Sequence, residues 1–238
     1  MQVSLGWVGL SRGARVVLVA LFVISALASV VAPRDASAQT AAVVVPMDEN
    51  GMPTRTFFPE TGHHLSDQLL TAWRSTGLMI FGYPISEPML ENGRVVQYFE
   101  RARLEYWPEH TGTQWVVQGS LLGNWAAEKR RHEPAFRPLP DNQPPDSPDR
   151  IFFKETGHWL AYGFKKYWDE SGGLWQFGYP ISEEFQERNP QDGKTYTVQY
   201  FERARLEFHP EHAGTEFEVL LGHLGRQYAE AKRVKSTA

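Results

Sequence analysis

The chain has 238 residues, of which 24 are Lys or Arg and 28 are Asp or Glu, and it contains no cysteine. This mildly acidic composition lacks the basic field that displaces counterions from phosphates, so nucleic acid is excluded as a partner. Disulfide staples and thiolate chemistry are excluded as well, and any metal site has to rest on His, Asp and Glu.

In chain order, residues 1–38 read as an export signal. Arg12 and Arg15 form a basic start, Val16 to Val31 is an apolar run, and Ala36-Ser37-Ala38 supplies a small-residue cleavage pattern. The run is short for a bilayer span, which needs about 20 residues, and no second run follows, so no stable membrane insertion is expected after cleavage. Cleavage takes Arg12, Arg15, Arg34 and Asp35 with it, leaving 21 basic and 27 acidic residues and a net charge of −6. An N-terminal segment, 39–56, leads into the main body.

From there the same features come twice. "FFPETGHHL" begins at Phe57 and "FFKETGHWL" at Phe152. Leu65, Leu69 and Trp73 are spaced by four, as are Leu160, Phe164 and Trp168, which predicts an amphipathic helix in each copy. Thr61 and Thr156 stand where N-cap hydroxyls are useful. "FGYPISE" follows at Phe81 and Phe177, a turn in which glycine supplies the conformation and proline stiffens the exit. The decapeptide "VQYFERARLE" then occurs unbroken at Val96–Glu105 and Val198–Glu207. Its alternation predicts a hairpin turning near Arg101-Ala102, with a third strand around Trp115 to Val117 or Phe217 to Val219. A closing helix is expected near Leu121 to Lys129 and Leu224 to Lys232.

Between the copies, six prolines from Pro134 to Pro148 predict an extended, semi-stiff spacer, so the copies touch or stand apart. The expected organisation is α+β: two homologous modules, 57–130 and 151–233, joined by a linker at 131–150 and followed by a tail at 234–238. Each module is expected to hold a helix, a three-stranded antiparallel meander and a closing helix.

"GLMIFGYPISE" with "QYFERARLEYWPEHTGTQWVV", and "GLWQFGYPISE" with "QYFERARLEFHPEHAGTEFEV", resemble the LGFP repeat of secreted actinobacterial proteins. The resemblance covers Gly77 to Gly123 and Gly172 to Gly225. Phe81 and Phe177 replace the family's leucine, and Arg101-Ala102 and Arg203-Ala204 replace its turn glycines. It implies a non-catalytic module on wall-associated proteins, held against the cell envelope, with no catalytic residues to carry over.

The candidate ligand residues are Tyr83, Arg101, Arg103 and Trp107 in the first copy and Tyr179, Arg203, Arg205 and His209 in the second. A planar guanidinium beside aromatics suits a carboxylate or sugar hydroxyls, and Trp107 and His209 offer flat faces for stacking. The competing structural reading pairs Glu100 with Arg103, and Glu202 with Arg205, across a hairpin to fix register, worth about 0.2–1 kcal/mol. Tyr83 and Tyr179 serve equally well as core.

Three functions are weighed. The first is a secreted, non-catalytic binder of envelope or extracellular polysaccharide, with two weak sites gaining by avidity. The second is a protein-interaction module using exposed aromatics. The third is a hydrolase or metalloenzyme built on Glu60 with His63 and Glu155 with His158, against which "ETGH" reads more simply as the start of a helix. No cofactor is expected.

Overall fold

The computed structural model describes residues 54–234. The expected export signal, most of segment 39–56 and residues 235–238 lie outside the described residues.

Alternating inward residues open each half as a strand pair. β1 (Arg55–Phe58) and β2 (His63–Ser66) form an antiparallel hairpin in which Phe58, His63 and Leu65 are buried. Helix α1 (Asp67–Thr76) starts only after it, so Thr61 is not a helix cap. It lies in the hairpin turn, where its amide bonds the Phe58 carbonyl at 3.2 Å. Thr156 does the same with Phe153 between β7 (Arg150–Phe153) and β8 (His158–Ala161), ahead of α4 (Tyr162–Glu170). Leu65 and Leu69 point to one core although the first is on a strand and the second on a helix, which is why the spacing of four imitates a longer helix.

A short helix follows, α2 (Leu78–Phe81) in the first half and α5 (Gly173–Phe177) in the second. The indole N–H groups of Trp73 and Trp168 donate to the carbonyls of Gly82 and Gly178 at 2.9 and 3.1 Å, locking the first helix onto the "FGYP" turn.

Each meander has four strands where three were expected. β3 (Met89–Glu91), β4 (Arg94–Tyr98), β5 (Arg103–Tyr106) and β6 (Val117–Gly119) pair in that order. β9 (Phe185–Arg188), β10 (Thr195–Tyr200), β11 (Arg205–Phe208) and β12 (Val219–Leu221) repeat the arrangement. The last strand begins two residues later than expected in both halves. Thr113 and Thr215 hold the preceding turn by accepting from the Trp115 and Phe217 amides at 3.1 and 3.2 Å. Helices α3 (Leu122–Ala127) and α6 (Leu224–Lys232) close the halves.

Both faces of each meander are covered, by different partners. On one face Phe99, Leu104, Phe201 and Leu206 join Leu65, Leu69, Leu160 and Phe164 in a single core drawn from both halves. On the other face the closing helices are exchanged. Ala229 and Tyr228 of α6 lie on Val96 and Tyr98 of the first sheet, while Ala126 and Ala127 of α3 lie with Tyr196, Val198 and Tyr200 of the second. The described residues accordingly fall in one compact unit. The proline-rich segment does not run free. Phe136 is 1 % exposed, packs edge-on to Phe185 and Tyr200, and the Leu139 amide donates to the Gly157 carbonyl at 2.8 Å.

Candidate functional site

The repeated decapeptide is the seam of this exchange. Its hairpin pairs Tyr98 with Arg103 and Tyr200 with Arg205, closed by the Phe99 and Phe201 amides bonding the carbonyls of Ala102 and Ala204. The expected cross-hairpin pairs Glu100–Arg103 and Glu202–Arg205 do not form. Glu100 and Glu202 lie in the turn and accept instead from the Tyr83 and Tyr179 amides at 3.2 and 3.1 Å, and Glu100 also takes Arg226 of α6 at 2.9 Å.

Arg101 and Arg203 do not project from an exposed tip. The turn is covered by the opposite half, so Arg101 donates to Leu221 O at 3.2 Å and Leu78 O at 2.9 Å, while Arg203 donates to Gly119 O at 3.3 Å. Gly123 and Gly225, the second residues of the exchanged helices, come so close to the backbone of Phe201 and Phe99 that no Cβ fits. Tyr83 and Tyr179 are half-buried and pack edge-on to Phe58 and Phe153.

Arg103 and Arg205 are buried. Arg103 donates to Glu91 at 2.8 Å, to Ser120 at 2.7 Å and to Glu105, and Ser120 in turn donates to Glu105 at 2.6 Å. Burial opposes its charge, yet hydrogen bonding and attraction from Glu91 and Glu105 leave its pKa raised. Tyr98 donates to the other oxygen of Glu91 at 2.8 Å. Burial, then that bond, pushes the phenol up to about 12.

Around this network opens a cleft of about 660 Å³. Arg103 and Trp107 meet there, with Glu91, Glu105, Arg94, Trp125, Tyr228 and Lys232. The Arg94 guanidinium lies 3.3 Å from the centre of the Trp107 ring and pairs with Glu109 at 2.8 Å, which keeps that carboxyl below its usual range through the hydrogen bond. Trp125 meets Tyr228 edge-on at 4.9 Å, and Tyr228 stacks on Tyr98 at 6.1 Å. This volume and mixed polar and aromatic lining suit a small-molecule or sugar-sized group.

Thus two of the eight candidate residues, Arg103 and Trp107, share one cleft. Arg205 and His209 are buried in the second half, His209 with its ring 4.0 Å from that of Tyr196. Sequence reasoning missed Glu91, Arg94, Trp125, Tyr228 and Lys232. Glu91 and its counterpart Glu187 recur at the same distance after "FGYPISE", a readable signal; Trp125 and Tyr228 carry none, because they meet only through the exchanged helices.

The "ETGH" histidines sit elsewhere. His63 and His158 are buried beside Glu87 and Glu183, with ring nitrogen to carboxylate distances of 3.6 and 3.1 Å. Burial raises the pKa of Glu87, but bonds from the His64 amide and ring and the nearby imidazoles win and lower it. Among the described residues no three His, Asp or Glu side chains are grouped to hold a metal ion.

The LGFP repeat family matches residues 81–131, so an LGFP repeat, a cell-wall-associated repeat, is found in the first half, spanning the "FGYP" turn, the decapeptide and α3. No curated protein matches the chain. Among the described residues no helix is long and apolar enough to cross a membrane.

Proposed function

We propose that this chain is an extracellular, non-catalytic protein that holds envelope polysaccharide in the cleft between its first sheet and the exchanged α6. The LGFP repeat suggests association with the cell wall and an extracellular location. The observation that carries the finer reading is the cleft: aromatic side chains Trp107, Trp125 and Tyr228 beside a polar floor of Glu91, Arg103, Glu105 and Ser120. Ring faces stack on sugar rings and the fixed polar groups orient hydroxyls. Both carboxylates are engaged by Arg103, which suits them to holding a ligand more than to passing protons.

The test is retention of residues 39–238 on insoluble cell wall, beside Trp107→Ala. The reading predicts that wild type is retained, and that the variant is lost from the pellet while its melting temperature stays within a few degrees. Equal retention of both proteins would remove the cleft from the account, and no retention of either would favour a protein partner.

A further inference from the structure

The two halves place different things at the same point of the fold. In the second half, Glu187 accepts from Tyr200 at 2.9 Å and from Arg205 at 3.0 Å, as Glu91 does from Tyr98 and Arg103. But Glu187 also receives a second guanidinium, that of Arg130, which follows α3 and bonds the Tyr200 hydroxyl at 3.0 Å. Phe136, Phe185 and Tyr200 surround Arg130 at 4.9, 5.2 and 5.3 Å from their ring centres, and Glu133 at the rim clasps it from outside. This is a cation held between a carboxylate and three ring faces, an arrangement that aromatic cages use for positively charged ligands.

The register of the repeat puts Lys232 of α6 where Arg130 stands. Lys232 does not take that place. It is exposed, and its ammonium lies 5.5 Å from the Tyr228 ring. Glu91 therefore has one guanidinium where Glu187 has two, and its side chain is 29 % exposed against 16 %. Tyr228 and Trp125 supply aromatic surface in the same cleft. The Arg94 charge is spent on Glu109 and the Trp107 face.

Resting on the polysaccharide reading above, we infer that the first cleft recognises a sugar bearing a free ammonium group. The ammonium sits against Glu91 where the second half seats Arg130, and the ring lies along Tyr228 and Trp125. The ligand class is an amino-sugar polymer with unacetylated amines. N-acetylation removes the charge and adds bulk at the carboxylate, so the acetylated polymer binds poorly.

Calorimetric titration with glucosamine oligomers and with N-acetylglucosamine oligomers of equal length tests this, using residues 39–238. The expected result is binding of the amine form at least tenfold tighter than the acetylated form. Glu91→Gln should lose about tenfold, and Tyr228→Leu, which keeps apolar packing on Val96, should lose several-fold. Glu216→Gln, an exposed acid outside the cleft, reports general attraction between an acidic protein and a cationic polymer and should change nothing. Equal binding of both sugar forms would overturn the ammonium inference and leave the polysaccharide reading standing. Binding of neither would overturn the amino-sugar inference, while wall retention of the same protein decides the polysaccharide reading separately, and tetralysine binding as tightly as the amino sugar would overturn the sugar part. Should Glu91→Gln fail to fold, the Tyr228→Leu result and the comparison of the two sugars still decide.

Discussion

Replacing Gly225 by alanine attacks the exchange of helices at its tightest point. A Cβ there would come within 2.7 Å of the Ala102 amide nitrogen and closer still to the carbonyl oxygens of Phe99 and Ala102. Those atoms cannot give way freely, because Phe99 N bonds Ala102 O at 2.8 Å and Arg226 N bonds Glu100 O at 3.0 Å. Helix α6 must therefore back away. Overpacking of this kind costs about 1–3 kcal/mol, and loosening the Arg226–Glu100 bond adds about 0.5–1.5 kcal/mol. Alanine returns about 1 kcal/mol of helix propensity. At the centre of these ranges the net is about 2 kcal/mol, which corresponds to a fall of roughly 4–8 °C in melting temperature for a unit of this size. Gly163→Ala is the internal comparison: it lies in α4 with open space around its Cβ position and should be neutral or slightly stabilising. Melts followed by circular dichroism decide, and a Gly225→Ala protein melting within 2 °C of wild type would refute the exchanged-helix packing.

Other expectations follow from the same seam and network. Arg101→Ala with Arg203→Ala removes three hydrogen bonds to backbone carbonyls and should destabilise by about 2–4 kcal/mol in urea titrations, while wall retention of the folded protein is unchanged. Residues 54–143 and 144–234, produced separately, should each lack a cooperative melt and regain one when mixed one to one, since each sheet needs the other half's helix and the second also needs Phe136; a cooperative melt of either alone would contradict this. The Tyr98 phenol, held up to about 12 by burial and by Glu91, keeps its proton in the folded state where the unfolded chain loses it near 10. Its contribution is full below pH 10 and is lost as the pH rises toward 12, so stability should fall across that window, with Tyr98→Phe showing a shallower fall.

Much of the fold was legible because packing imposes periods. The alternation in "VQYFERARLE" marks two strands, and the helix expected at Leu224–Lys232 spans those residues. The hairpin at "ETGH" reads as the start of a helix because Thr-Gly serves both a cap and a turn, and only the burial of His63 beside Leu65 separates the two. β3 and β9 are short edge strands with exposed or charged members, so they carry little periodic signal. The exchange itself leaves no local mark. Val96 and Tyr98 on one face and Leu104 on the other announce that both faces are covered, but not which half supplies the cover. For that reason the arginine at the turn stands among the candidate ligand residues although the opposite half covers it, and the cleft, assembled from β3, β5 and α6, is visible in the sequence only in its Arg103 and Trp107.

The stoichiometry of binding tests the central claim most directly. Isothermal titration of residues 39–238 with a soluble wall-derived oligosaccharide should give one site per chain, because Arg130 occupies in the second half the place that the ligand takes in the first. Two equal sites, both surviving Trp107→Ala, would contradict the account.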